Sequence, residues 1–239
     1  MKVKNFLRRS VDLVLDVWLP HRCVVCRRLL PLGTDICKDG CLAKLEEMLI
    51  TEKTCPKCGV PKDTCTCKDT VYMFSGLAAP FRYDGTAATA AVNFKHDRCG
   101  ENAELLASYM TDCAKEKLGT DFDIICSVPQ SPRKRIGTGF DHSGLLAGKV
   151  AEGLSVPYVR ALKQIKENRM QHTLTLSERR KNIKGIYSVT ADVKGKKILL
   201  IDDIKTSGST LNECAHILRL AGADDVKCLA FAVRCKKVL

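Results

Sequence analysis

The run Ile198-Leu199-Leu200-Ile201-Asp202-Asp203-Ile204-Lys205-Thr206-Ser207-Gly208-Ser209-Thr210 constrains the fold more than any other stretch of the chain. Four consecutive apolar residues suit a strand buried on both faces, as in a parallel sheet covered by helices. Two acids end the run, a short hydroxyl-rich loop follows, and Leu211 to Ala221 reads as an amphipathic helix. Backbone N–H groups at such a turn converge on one point, and the helix N-terminus adds positive partial charge there. The loop is therefore shaped to cradle a monophosphate. The acids lie at the carboxyl end of the strand, where open α/β sheets bind ligands, and carboxylates there accept hydrogen bonds from sugar hydroxyls.

This stretch resembles the phosphoribosyl pyrophosphate (PRPP) motif of type I phosphoribosyltransferases. That motif runs from four apolar residues through two acids, an apolar and a variable residue to Thr-Thr-Gly-x-Thr. Ser207 replaces its second Thr and keeps the hydroxyl. The alternative, a buried strand with a polar turn, leaves the adjacent acids and the hydroxyl run unexplained.

A second constraint comes from the cysteines. Eight of the fourteen fall between Cys23 and Cys67, in four close pairs: Cys23 and Cys26, Cys37 and Cys41, Cys55 and Cys58, Cys65 and Cys67. A pair with two residues between its members presents two thiolates from one tight turn, ready for two corners of a tetrahedron. Four pairs suit two structural sites of four thiolates each, filled by zinc or by an iron–sulfur cluster. Sequential pairing is the simplest arrangement, and an interleaved one stays open. Four thiolates leave no open coordination position, which argues against catalytic zinc. Gly59, just after the second knuckle, sits where a turn needs positive φ. Cys126 and Cys228 lie in apolar runs and read as buried thiols.

The balance of 39 basic and 27 acidic residues, net +12, favours polyanions without choosing among nucleic acid, nucleotide and PRPP. Asp12 and Asp16 interrupt the apolar run near the start, so no secretory signal is read, and no stretch is apolar enough to span a membrane. Metal-bound cysteines in a cytoplasmic protein are expected, rather than a disulfide scaffold.

Residues 3–19 are expected to form an amphipathic helix. Val71 to Tyr83, with Gly76 and Pro80, reads as a short hairpin. Helices are expected over Thr86–Lys95, Glu101–Leu118 (with Leu105, Tyr109 and Cys113 on one side) and His142–Gly153. Strands are expected over Asp123–Pro129, Val156–Leu162, Ile186–Val189 and Val226–Arg234. The expected fold class is α/β: a mostly parallel sheet of the type I phosphoribosyltransferase kind behind an N-terminal cysteine-rich zinc-ribbon module. The expected division is residues 1–70 for the helix and double zinc ribbon, and 71–239 for the phosphoribosyltransferase-like domain.

Taken in order, these features resemble the ComF family of bacterial double-zinc-ribbon, phosphoribosyltransferase-like proteins, which includes competence proteins needed for DNA uptake in natural transformation. Tyr83, Gly85 and Lys95 look like the family's Tyr-x-Gly…Lys segment. Val128-Pro129 and Gly139-Phe140 match a Val-Pro and part of an Arg-Gly-Phe-Asn-Gln motif, which here reads Thr138-Gly139-Phe140-Asp141-His142. Lys163, Lys166, Asn168, Gln171 and Leu174, then Arg179 and Asn182, resemble its later polar pattern. The resemblance implies PRPP with Mg²⁺ as ligand. Lys205, Thr206, Ser207, Gly208, Ser209 and Thr210 would hold the 5-phosphate, and Asp202 and Asp203 the ribose hydroxyls. Lys95 with Arg133 or Arg135 would face the pyrophosphate; Asp202, Asp203 and Lys95 are the candidate catalytic residues. Purine-salvage transferases carry an acid where Thr206 stands, which disfavours that chemistry here. His96, His142 and His172 are bases in principle and packed or surface residues by default. The implied partners are single-stranded DNA and competence or helicase proteins. Two readings of different class follow: a transferase with an unassigned acceptor, or a non-catalytic zinc-ribbon module that binds single-stranded DNA or a partner and retains the PRPP fold.

Overall fold

Strand β6 (Lys197–Lys205) is the spine of the molecule, and its side chains alternate between two apolar layers. A computed structural model describes residues 21–31, 34–68, 70–96, 100, 102–130, 141–166 and 185–235. The helix expected over 3–19 lies outside them. In chain order the elements are α1 (Cys41–Glu46), β1 (Gly76–Ala78), β2 (Phe81–Arg82), α2 (Gly85–His96), α3 (Ala103–Lys117), β3 (Ile124–Ser127), α4 (His142–Leu154), β4 (Leu162–Gln164), β5 (Tyr187–Val189), β6, α5 (Ser209–Leu220) and β7 (Asp225–Val233).

The main sheet has the order β1-β7-β6-β3, with β2 also on β7, and every pairing is parallel. Leu199 and Ile201 of β6, with Leu229 and Phe231 of β7, face a layer built by α2, α3 and α4. Ile198 and Leu200, with Val226 and Cys228, face α5 and the small β4–β5 sheet. Burial on both faces is why the run of four apolar residues carries no polar alternation. Cys126 and Cys228 are both fully buried.

The segment expected as a hairpin is instead one interrupted edge strand. Ala78 pairs with Leu229 and Phe81 with Ala232 at one constant register, so β1 and β2 continue each other across Pro80. A proline has no N–H for the ladder and is tolerated at an edge. Leu105 and Tyr109 are half-buried at the margin of α3, whose centre is the stripe of Leu106, Ala107, Met110 and Ala114. The remaining expected helices and strands appear within a few residues, except that Val156–Leu162 resolves into a single bridge, Tyr158 to Ile125, followed by β4, which pairs antiparallel with β5.

The cysteine module is seated on this framework. The Arg82 amide donates to the Met48 carbonyl (2.9 Å), the Ile50 amide to Pro80 (2.8 Å), and the Leu77 amide to Pro56 (2.9 Å). The outer edge of β1–β2 is thus hydrogen-bonded to the module. On the helical face, Asn93 of α2 donates to the carbonyls of Val24 (2.8 Å) and Val25 (2.9 Å), while Cys23, Ile36 and Leu45 join the core of the α2–α4 layer.

Candidate functional site

The eight clustered cysteines form two tetrads, Cys23, Cys26, Cys37 and Cys41, and Cys55, Cys58, Cys65 and Cys67, with the Sγ atoms of each within 4.8 Å of one another. The pairing is sequential. Individual separations of 3.5 Å for Cys26 to Cys37, 3.4 Å for Cys58 to Cys65 and 3.6 Å for Cys55 to Cys67 approach the ~3.8 Å edge of a tetrahedron with Zn–S bonds of about 2.3 Å. The donor set fits structural zinc. Each module begins with a cysteine whose thiolate is favoured. Burial pushes Cys23 up, but the backbone amides of Cys26, Cys37 and Val25 bring it down to about 7. Cys55 likewise falls to about 7, its burial outweighed by the amides of Cys58 and Lys57. Gly59 has φ +70°, as the knuckle requires, and a Cβ there would come within 2.4 Å of Leu77 Cδ2.

A second centre lies at the carboxyl end of β6. Asp202 Oδ1 accepts from the Asp203 amide (2.9 Å) and from Ser143 Oγ (3.4 Å), while Asp203 Oδ1 accepts from the Ile204 amide (2.6 Å). Lys95, near the end of α2, places its ammonium 2.7 Å from Asp203 Oδ2. Burial, then the neighbouring Asp203 carboxylate, push Asp202 up to about 8. Asp202 is therefore held near its own protonation point, while Asp203 is committed to an ion pair.

Beyond the acids the chain turns into α5. Gly208 is the N-cap with φ +76° and brings no side chain of its own to cap the helix. Ser207 and Ser209 bring their hydroxyls within 2.9 Å of each other, and the Ser209 amide points at Ser207 Oγ. Thr206 is exposed, and Ser207, Ser209 and Thr210 are half-exposed. Helix-terminal amides, hydroxyls and the positive end of the helix dipole together make a turn that suits an anion. Lys205 differs from its neighbours in the motif. Its side chain is buried, 6% exposed, beneath this loop.

The structure brings Lys95, Asp202 and Asp203 together, with the 206–210 loop following directly. Arg133 and Arg135 lie outside the described residues, as do Gly139, Phe140, Asn168, Gln171, Leu174, Arg179, Asn182 and His172. His96 is exposed at the end of α2. His142 is packed at 1% exposure, edge-on to Phe94, with Nδ1 3.3 Å from Gln130 Nε2. Asp141, where the family motif has Asn, caps α4 by accepting from the Gly144 amide (3.0 Å). Sequence reasoning missed Ser143, and nothing in the local pattern marks it. Its role comes from α4 packing beside β6.

Residues 14–71 match the family model of the double zinc ribbon domain, and residues 141–238 that of the phosphoribosyl transferase domain. The chain is 28% identical over 220 residues to the DNA utilization protein YhgH of Escherichia coli, covering 87% of this chain and 95% of the relative. It is 29% identical over 184 residues to competence protein ComFC of Streptococcus pneumoniae, covering 74% and 80%. Among solved structures it is similar to a glutamine PRPP amidotransferase from B. subtilis (21% identity, TM-score 0.37), covering 53% of this chain and a quarter, 25%, of the amidotransferase. A hypoxanthine phosphoribosyltransferase from Staphylococcus aureus is also similar (10% identity, TM-score 0.36), covering 57% and 70%. No helix among the described residues is long and apolar enough to cross a membrane.

Proposed function

We propose that the chain is a ComF-type protein, as its double zinc ribbon and phosphoribosyl transferase matches and its likeness to YhgH and ComFC support, and that it binds PRPP with Mg²⁺ at the carboxyl end of β6 and serves DNA uptake. The observation that carries the ligand reading is the sequence of groups along one strand end: two carboxylates, then a glycine-opened, hydroxyl-lined helix N-terminus. The loop 206–210 is suited to the 5-phosphate. Asp202 and Asp203 are suited to accept from the ribose 2- and 3-hydroxyls, and Mg²⁺ would neutralise the diphosphate beside them. Ser143 orients Asp202 from α4. Lys95 pairs with Asp203 and is positioned to swing its ammonium to the pyrophosphate when the ribose takes up the carboxylate. Arg133 and Arg135 complete the proposed set of pyrophosphate ligands on the resemblance alone.

The link to DNA rests on what the relatives' names say of them, utilization of DNA and competence. A cytoplasmic site of action, transfer to an acceptor and association with single-stranded DNA and helicase-type partners belong to this proposal. Calorimetry with PRPP and Mg²⁺ tests it, on the wild type and on an Asp202→Asn/Asp203→Asn double variant. Saturable binding by the wild type that is lost in the variant is the expected result. A folded, zinc-loaded wild type that binds no PRPP overturns the ligand reading. Single-stranded DNA held by phosphate contacts would instead show affinity falling steeply with salt and indifferent to the two acids.

A further inference from the structure

Tyr72 is the one residue among those described that packs against two of the hydrophobic clusters at once. One cluster joins Ile50, Val60, Ala79 and Val233 to the second-tetrad members Cys58 and Cys67; the other joins Phe74 and Leu77 to Leu211 and Cys214 of α5. The chain reaches Tyr72 directly from the ribbon, where the Thr70 amide donates to the carbonyl of Cys67, the last cysteine of the tetrad (2.9 Å). Val71 and Met73 are exposed, so Tyr72 and Phe74 anchor the segment, their rings stacked with centroids 4.7 Å apart and 23° between planes. A Cβ at Gly208 would lie 4.0 Å from Tyr72 Cε1, which places the ring at the border of the turn that opens α5. Next along the segment, the Met73 amide donates to Asn212 Oδ1 (2.7 Å). Asn212 donates its own amide to the Gly208 carbonyl (2.9 Å). One residue of α5 thus ties the segment leaving the ribbon to the residue that opens the phosphate turn. Gly208, at φ +76°, has no side chain with which to fix that conformation, so the turn takes its shape from what packs around it.

We propose that Tyr72 and Asn212 are positioning residues for the 206–210 turn, and that through them the folded second ribbon sets how tightly the turn holds a phosphate. This deepens the PRPP reading and rests on it for the identity of the ligand; the seating of the turn does not depend on it.

The test is hydrogen exchange of the intact, zinc-loaded chain, read at the amides of residues 206–213, with PRPP and Mg²⁺ calorimetry on the same variants. Tyr72→Leu and Asn212→Ala are expected to speed exchange in the turn and to weaken PRPP binding, each about 10-fold, within the usual range for coupled sites, with zinc content unchanged. Tyr72→Phe keeps the ring and should match the wild type. Cys55→Ser, which opens the second ribbon, should loosen the turn; Cys23→Ser, which opens the first, should not. Cys55→Ser combined with Tyr72→Leu should be no worse than either alone, because both act through one contact. Turn exchange unchanged in Tyr72→Leu and Asn212→Ala overturns the proposal, as does equal loosening by both cysteine variants or an additive loss in the combined variant. So does a loosened turn that keeps wild-type PRPP affinity. A wild type that binds no PRPP sinks the ligand reading, and exchange in the turn still decides whether Tyr72, Asn212 and the second ribbon hold it.

Discussion

Replacing Asp202 by Asn should stabilise this protein, and the gain should depend on pH in a defined way. Burial and the Asp203 carboxylate raise Asp202 from 3.8 to about 8. At ~1.4 kcal/mol per pKa unit, that displacement sets a ceiling of roughly 6 kcal/mol on the cost of keeping Asp202 ionised in the folded state. Asp202 is only half-buried, so water screens part of this, and we expect about 2 kcal/mol at pH 8. The folded state holds this proton to higher pH than the unfolded chain does, so the wild type loses stability as pH rises from about 4 to about 8. Asn does not titrate, so its advantage grows across that window and levels off above it. Urea unfolding followed by circular dichroism, at several pH values between about 6 and 9 and at buffered free zinc, measures the difference. The zinc contribution is common to both proteins and cancels. Asp203→Asn is the control of opposite sign: it removes the partner of Lys95 and should cost up to about 1 kcal/mol. A gain from Asp202→Asn that is absent at pH 8, or constant with pH, refutes the reasoning. A stabilising change at the ligand site would also mark Asp202 as kept for function at the expense of stability.

Two further outcomes test the packing. Gly59→Ala places a Cβ at φ +70°, 2.4 Å from Leu77 Cδ2 and 3.2 Å from the Leu77 carbonyl oxygen, and should cost roughly 2–4 kcal/mol, read as a fall in Tm of the zinc-loaded protein. Phe81→Ala empties a fully buried site between the rings of Tyr109 and Phe231 and should cost about 3–5 kcal/mol in urea unfolding, whereas Val92→Ala on the exposed face of α2 should stay within about 0.5 kcal/mol.

The central strand was legible because its physics is local: Ile198 to Ile201 must be covered on both sides, and two acids with a hydroxyl loop have few uses other than binding. The knuckles were legible for the same reason, since two thiolates with two residues between them define half a tetrahedron. Which halves combine was not, because that depends on how Cys37 and Cys41 fold back on Cys23. The hairpin expected over Val71–Tyr83 failed on a long-range fact. Pro80 and Gly76 look like turn residues, but the strand they interrupt pairs with β7, about 150 residues later, and nothing local records that partner. On α3, spacing chose Leu105, Tyr109 and Cys113; Cys113 is buried, but α4 packs one position around the helix and buries Leu106 and Met110 where Leu105 and Tyr109 were expected. The 2.7 Å contact of Lys95 with Asp203 and the approach of Ser143 to Asp202 likewise come from helix packing. Lys205 shows the limit most clearly. Motif position put it with the loop as a phosphate contact, while its place at the end of β6 beside Val233 buries its side chain.

The outer edge of β1–β2 has a consequence for what metal loss would do. Leu77 and Arg82 donate, and Pro80 accepts, across to Pro56, Met48 and Ile50 of the cysteine module. Those groups are an unfinished ladder that the module finishes. Were the second knuckle to loosen as its metal left, a strand edge flanked by Phe74, Leu77 and Phe81 would be presented to the next molecule as a template for pairing. Zinc bound there would guard against self-association as well as staple the module, and metal loss is expected to register first as aggregation.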